Sequence, residues 1–258
     1  VNTLRYWLML MRSSMAAPGA DPRDFMILSV AMFLQNLLFF VLWIVFFSTV
    51  HDVKGWHLSD IAVFIGVLNI AVGLAGFFGT GSRWIGYKIL SGDLDTLIVR
   101  PRHPLPQLLT SMCDPSTPGD AAYGLLLLLA FGHLGFLQLL LALVSSILLA
   151  VLVLAVSIMF QSLAFVSKGG AQLGNEAYSA LFSVGSVPQH TQGVAFKMIL
   201  FTVLPAGFIT ITPVEIVQQD SLLLLLALTG CVAGYMSLAA WVFERGLRRY
   251  TSATGWTA

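Results

Sequence analysis

Between Asp120 and Lys168 the chain reads 121-AAYGLLLLLAFGHLGFLQLLLALVSSILLAVLVLAVSIMFQSLAFVS-167, 47 consecutive residues without a charged side chain. Inside a bilayer, backbone N–H and C=O groups must be satisfied within the segment, so an uncharged apolar run reads as helix. One helix of this length would measure about 70 Å, more than twice the ~30 Å hydrocarbon core. The run must therefore fold back. Gly132-His133-Leu134-Gly135 is the natural break, which predicts helices over about 121–134 and 138–165. The first is short for a crossing, and is expected to be tilted or partly re-entrant.

The same reading of gaps between charges extends along the chain. It predicts spans over about 26–50, 60–81, 195–212 and 222–243. The fifth is the least regular, because Lys197, Pro205, Gly207 and Pro213 interrupt it. The apolar piece 177–187 reads as an interfacial helix or as the end of its neighbour. The expectation is an all-α membrane protein of six transmembrane helices, forming one domain over 1–258. Composition agrees: 57% of the residues are hydrophobic and 10% charged, against roughly 25% charged in soluble domains, and mean hydropathy is +0.87. This excludes a nucleic-acid binder held by a basic surface, a disordered regulator and a disulfide scaffold. Cys113 and Cys231 are too few and too far apart for a disulfide framework or a metal cluster.

Orientation follows from basic residues, which concentrate on the cytoplasmic side. With six crossings both termini share a side. Placed inside, they bring Arg5, Arg12, Arg23, Arg83, Lys88, Arg100, Arg102, Lys168, Arg245, Arg248 and Arg249 to the cytoplasm, with Lys197 near that interface and only Lys54 outside. The beginning of the sequence does not read as a secretory signal: its first long apolar run starts near Phe25 and lacks a small-residue cleavage site. Residues 1–24 are expected to be a cytoplasmic interfacial segment. Leu4, Trp7, Leu8, Met11 and Met15 share a helical face that Arg5 and Arg12 avoid, which suits a helix on the inner leaflet. A cytosolic helix packed on a partner has the same pattern.

No Asp, Glu, Lys or Arg is expected well inside a span. This argues against an ion-coupled transporter, whose coupling ion needs an intramembrane ligand. The neutral polar residues Gln35, Asn36, Asn69, Gln161 and Thr202 read as interhelical hydrogen-bonding contacts. Enzyme signals fail in turn. Gly81-Ser-Arg-Trp-Ile-Gly86-Tyr-Lys88 has the glycines of a phosphate loop, but Tyr87 stands where the lysine belongs and no strand precedes it. His133 with Ser145, Ser146 or Ser157 lacks the Gly-x-Ser-x-Gly elbow of a hydrolase. His51, Asp52, His57 and Asp60 make only a weak metal pattern in an external loop. Gly230-Cys-Val-Ala-Gly234 reads as a small-residue helix contact.

The most patterned stretch is the cytoplasmic connection, with its coupling segment over 83–106. Ser91 and Asp93 are suited to cap a helix N-terminus. Leu94, Leu97 and Ile98 repeat at i, i+3, i+4. Arg100 suits the helix C-terminus, Pro101 stops the helix, and Pro104 and Pro106 are expected to keep the chain extended. The result would be a short stiff helix built to press into another protein, or else one lying flat on the lipid.

Gly92-Asp93-Leu94-Asp95-x-x-Ile98-x-Arg100-Pro101 resembles the G-E/D-L-D-x-x-L-x-R-P signature of the ABC-2 type transporter permeases. The tail Gly246-Leu-Arg-Arg-Tyr250-Thr-Ser252-Ala-Thr-Gly255 is similar to that group's closing pattern, and Leu204-Pro205-Ala-Gly-Phe-Ile, with Pro213, resembles its fifth-helix break. The order of features matches over roughly 3–255. Cys113-Asp-Pro-Ser-Thr-Pro-Gly119 departs from the pattern as a turn-rich, insertion-like string.

The resemblance implies a type V exporter-like permease fold with both termini inside, in a bacterial inner membrane. It implies a coupling helix in which Ser91, Gly92, Asp93, Leu94, Asp95, Leu97, Ile98, Arg100 and Pro101 meet a separate ATP-binding subunit. Two such subunits, which bind the ATP and Mg, would serve two permease chains, identical or related, exporting a hydrophobic or amphipathic compound. This chain would hold no cofactor or metal and bind no nucleic acid. The alternatives are an intramembrane lipid-modifying enzyme and a non-transporting scaffold subunit.

Overall fold

The computed structural model describes Met9 and residues 21–50, 56–185 and 205–250. The predicted N-terminal interfacial helix, Thr202, His51, Asp52 and most of the predicted fifth span lie outside these residues.

The first helix, α1 (Pro22–Thr49), starts at Asp21, whose carboxylate accepts the Arg23 N–H at 2.8 Å, with Pro22 in the first turn where no N–H is needed. Helix α2 (Leu58–Gly79) starts at His57, whose N–H donates to the Asp60 carboxylate at 2.9 Å. It continues through a 3-10 turn (Thr80–Trp84) into α3 (Ile85–Leu90), so the predicted second span runs about two turns further than its charges suggested. Then come α4 (Asp93–Ile98), α5 (Pro104–Leu109) and α6 (Thr117–Ala130). The turn holding His133, at φ 50°, leads into α7 (Phe136–Gln161), which ends in a 3-10 turn over Ser162–Phe165. The fold-back thus falls at the predicted glycine pair. Helix α8 (Gly170–Gly185) takes in the described part of the predicted interfacial piece, 177–185, and begins earlier, and α9 (Ala206–Gln218) carries Pro213 inside it. Helix α10 (Leu222–Arg249) extends past the predicted span by its charged last turns.

Among the described residues four stretches are long and apolar enough to cross a membrane: Pro22–Thr49, Leu58–Leu90, Phe136–Phe165 and Leu222–Arg249. The third and fifth predicted spans are not among them. Helix α6 has 14 residues, about 21 Å at 1.5 Å rise, and the described part of the fifth, α9, has 13.

The helices run alternately between two ends. At one end Gln218 Nε2 donates to the Asp60 carboxylate at 2.7 Å, which puts the end of α9 beside the start of α2. Helices α2 and α7 form the centre, with 61% and 56% of their apolar windows buried, whereas α1 and α10 bury only 11% and 17%. Helix α6 packs along α2 where small residues meet: Gly66 faces Gly124, and Gly73 faces Ala121, so closely that an added Cβ would meet backbone.

Two corrections concern α6. It begins at Thr117, four residues before the predicted start, because the Asp114–Ser116 turn and Pro118 launch it. Asp120 therefore lies inside the helix, only 7% exposed, its Oδ1 accepting from Asn36 Nδ2 at 2.6 Å. Asn36 is halfway along α1, so a carboxylate lies level with the middle of that helix, contrary to the expectation of charge-free spans. The first turn of a helix, with its free N–H groups and positive dipole end, is the position where a buried carboxylate is least unfavourable. Glu215 likewise lies within α9.

The core divides by level. A larger cluster fills the α1, α2, α6, α7 and α9 contacts. A second, at the other end, joins Ile85, Ile89, Leu94 and Leu108 to Ile158, Ala239 and Phe243.

Candidate functional site

That second cluster seats the patterned connection. The 3-10 turn after α2 restarts as α3, whose first N–H groups have no partner within the helix. One is supplied from α7: the Gly86 N–H donates to Gln161 Oε1 at 3.1 Å, and Gln161 Nε2 donates to Asn175 Oδ1 at 2.8 Å. Gln161 is 1% exposed and bridges three elements, as its reading as an interhelical contact predicted. Of the other neutral polar residues, Asn36 meets Asp120, Asn69 bonds the Ile65 carbonyl of its own helix, and Gln35 is exposed. Nearby, Arg83 stacks over the Tyr178 ring at 4.9 Å. Burial pushes the Tyr178 hydroxyl up to about 12, with Arg83 pulling it the other way, so it stays a neutral phenol. The Gly81–Lys88 string is helical, and Lys88 Nζ donates to Ser111 Oγ at 2.6 Å.

Gly92 turns the chain between α3 and α4 at φ 83°, a left-handed conformation that side-chain-bearing residues adopt with strain. Gly92 itself takes the N-cap position that Ser91 and Asp93 were expected to fill. Ser91 Oγ is 3.5 Å from the Asp93 N–H, and Asp93 and Asp95 lie in the first turn, where their charge suits the dipole. The apolar triad divides. Leu94 is 0% exposed inside this chain's own core, Leu97 is half-buried against it, and Ile98 is 43% exposed beside Val99 at 84%. Arg100 donates its N–H to the Leu97 carbonyl and its Nη1 to Gln107 Oε1 at 3.4 Å, and Pro101 lies in the exposed turn that follows.

Pro104 and Pro106 do not keep the chain extended. They stand in the first turn of α5, where the missing N–H groups are not needed and the fixed φ is already helical. His103 caps that turn, its Nδ1 accepting from the Leu105 N–H at 3.3 Å. Its Nε2 is 2.7 Å from Glu244 Oε1 at the foot of α10. Buried Gln107 donates to the Arg102 and His103 carbonyls and closes the loop on itself. At the other edge Tyr250 OH donates to the Ile89 carbonyl at 3.4 Å. So α4 stands on a platform tied to α7 by Gln161 and to α10 by His103 and Tyr250.

Sequence reading found α4 but missed these ties. His103 and Glu244 are 141 positions apart, and no spacing rule connects them. Among the described residues no group of three or more His, Cys, Asp or Glu could hold a metal ion. The site offers mechanical contacts: an exposed apolar and acidic helix joined rigidly to the ends of long helices.

A family model described as ABC-2 family transporter protein matches residues 33–254. No curated protein and no solved structure matches the chain.

Proposed function

The chain belongs to the ABC-2 family of transporter membrane proteins, and from that premise we propose that it is the permease subunit of an ATP-driven exporter. Two ATP-binding subunits and a second permease chain, identical or related, complete the transporter. The cargo is a hydrophobic or amphipathic compound, moved across a bacterial inner membrane by alternating access. The permease crosses six times with both termini in the cytoplasm. Helix α6, entered from α5 at the basic end, makes the third crossing. The fifth ends with α9.

The observation that carries this reading is the seating of α4. Leu94 locks the helix into a core shared with α3, α7 and α10, while Ile98 and Val99 stand exposed at its C-terminal tip, followed by Arg100, with Asp93 and Asp95 in its first turn. A push on Ile98 and Val99 has no slack to absorb it before reaching those helices. A nucleotide-dependent ATPase surface that fits this tip in one state and not the other biases the permease by that difference in contact energy. Basic residues gather at the same end: Arg83, Lys88, Arg100, Arg102, Lys168, Arg245, Arg248 and Arg249. That is the distribution expected of a cytoplasmic face.

The reconstituted complex tests it. Ile98→Glu with Val99→Glu leaves membrane insertion intact and removes cargo-stimulated ATP hydrolysis, read as phosphate release. Full stimulation in that variant ends the coupling assignment.

A further inference from the structure

The foot of α10 carries a feature that docking of an ATPase does not call for. We propose that it binds an anionic phospholipid of the leaflet on the basic side of the bundle, the phosphate held by Arg245, Arg248 and Arg249. The proposal goes beyond the transport reading and depends only on the chain lying in a membrane.

The exposed stripe of α10 runs through Leu223, Leu226, Gly230, Gly234, Ser237 and Leu238, all on the side away from buried Leu228, Val232, Ala239 and Phe243. That stripe ends in Trp241, 56% exposed, and directly below it come Arg245 and Arg248. An apolar face passing into tryptophan and then arginine marks the level where acyl chains give way to headgroups. The Arg245 guanidinium lies over the Trp241 ring at 5.3 Å, so its charge is held at that level. A guanidinium fork matches a phosphate with two parallel hydrogen bonds.

Basic side chains at helix C-termini are common, because the negative end of the dipole favours them. What the dipole does not explain is the space beside them. Two cavities adjoin at Arg249, one of about 210 Å³ and one of about 280 Å³. The first is floored by Ile89, Leu90, Ala164 and Phe165, with Lys168 and Tyr250 on its rim. The second lies among Trp241, Glu244 and the three arginines. Glu244, hydrogen-bonded to His103 Nε2, offsets one of the three arginine charges and leaves the cavity net positive. Apolar floor and cationic rim are the two halves of a phospholipid site, and basic pockets between membrane helices recognise anionic headgroups on this logic.

The test uses the full chain in phosphatidylcholine nanodiscs containing a minor fraction of phosphatidylglycerol, with bromine on the acyl chains of one lipid or the other. Bromine quenches nearby tryptophan, so Trp241 reports which lipid lies against it, and Trp241→Phe isolates its signal. Brominated phosphatidylglycerol is expected to quench that signal more than brominated phosphatidylcholine at the same mole fraction. Arg248→Gln with Arg249→Gln reduces the preference about five-fold for each arginine removed. Equal quenching of the unaltered protein by the two lipids overturns the proposal, and that measurement needs no variant. A preference unchanged in the double variant also overturns it.

Discussion

Leu94 and Ile98 are one helical turn apart and have opposite fates. Spacing alone puts them on a common face with Leu97, and the face exists. The core beneath it ends halfway along. Leu94 drops among Ile85, Ile89, Leu108 and Phe243, while Ile98 reaches past the platform into the open. Leu94→Ala should therefore destabilise the chain by about 2–5 kcal/mol, because it empties a closed site. Ile98→Ala, from a position 43% exposed, should leave stability within about 0.5 kcal/mol. Thermal unfolding in detergent, followed by helical circular dichroism, separates the two. Equal destabilisation would mean that Ile98 is also a core residue. Periodicity gave the face of α4 correctly and could not give its depth, since depth depends on Phe243, which is 149 positions away from Leu94. Asp120 shows the same limit in reverse. Counting uncharged residues made it a boundary, whereas the fold takes it in because Asn36, 84 positions back, is there to donate.

At the level of elements, the glycine break in the long apolar run was legible and the two proline-containing joints were only half so. The chain turns where expected, between Gly132 and Gly135, with His133 in the left-handed region at φ 50°. The turn-rich string Cys113-Asp-Pro-Ser-Thr-Pro-Gly119 forms the joint between α5 and α6. Asp114 accepts from the Ser116 N–H and hydroxyl, and Ser29 Oγ on α1 donates to the Pro115 carbonyl at 2.6 Å. Gly119 completes the joint by letting α6 lie directly on α1, where an added Cβ would collide with the Ser29 carbonyl oxygen. Gly119→Val should thus force α1 and α6 apart and lower stability by about 1–3 kcal/mol, as overpacking does. Gly230→Ala makes the matching control, since nothing lies within 4 Å of a Cβ there. If both changes leave the unfolding temperature alike, α1 does not rest on α6 as described. Pro104 and Pro106 were misjudged because proline stops a helix only when it follows one. At the first turn it starts one.

For the whole molecule, the order of ends decides whether α4 can meet an ATPase at all. The α6–α7 turn and the junction of α9 with α2 at Gln218 and Asp60 lie at one end of the bundle, and α4, α5 and the foot of α10 lie at the other. Arginine and lysine crowd the second end, and the described part of the first end carries Asp60, Glu215 and Asp220. Charge of this polarity orients a helical membrane protein during insertion, with the basic end retained inside. Cysteine labelling reads the result directly. With Cys113 and Cys231 replaced by serine, Thr96→Cys on exposed α4 and Gln219→Cys in the exposed α9–α10 turn place one thiol at each end. In intact cells a membrane-impermeant maleimide should label the Gln219→Cys chain and spare the Thr96→Cys chain, and inverted vesicles should exchange the two outcomes. Labelling of Thr96→Cys from outside would put α4 on the wrong side of the membrane for ATP, and coupling through Ile98 and Val99 could not operate. Labelling of both thiols from one side would break the alternation of the helices itself, on which the proposed six passes depend.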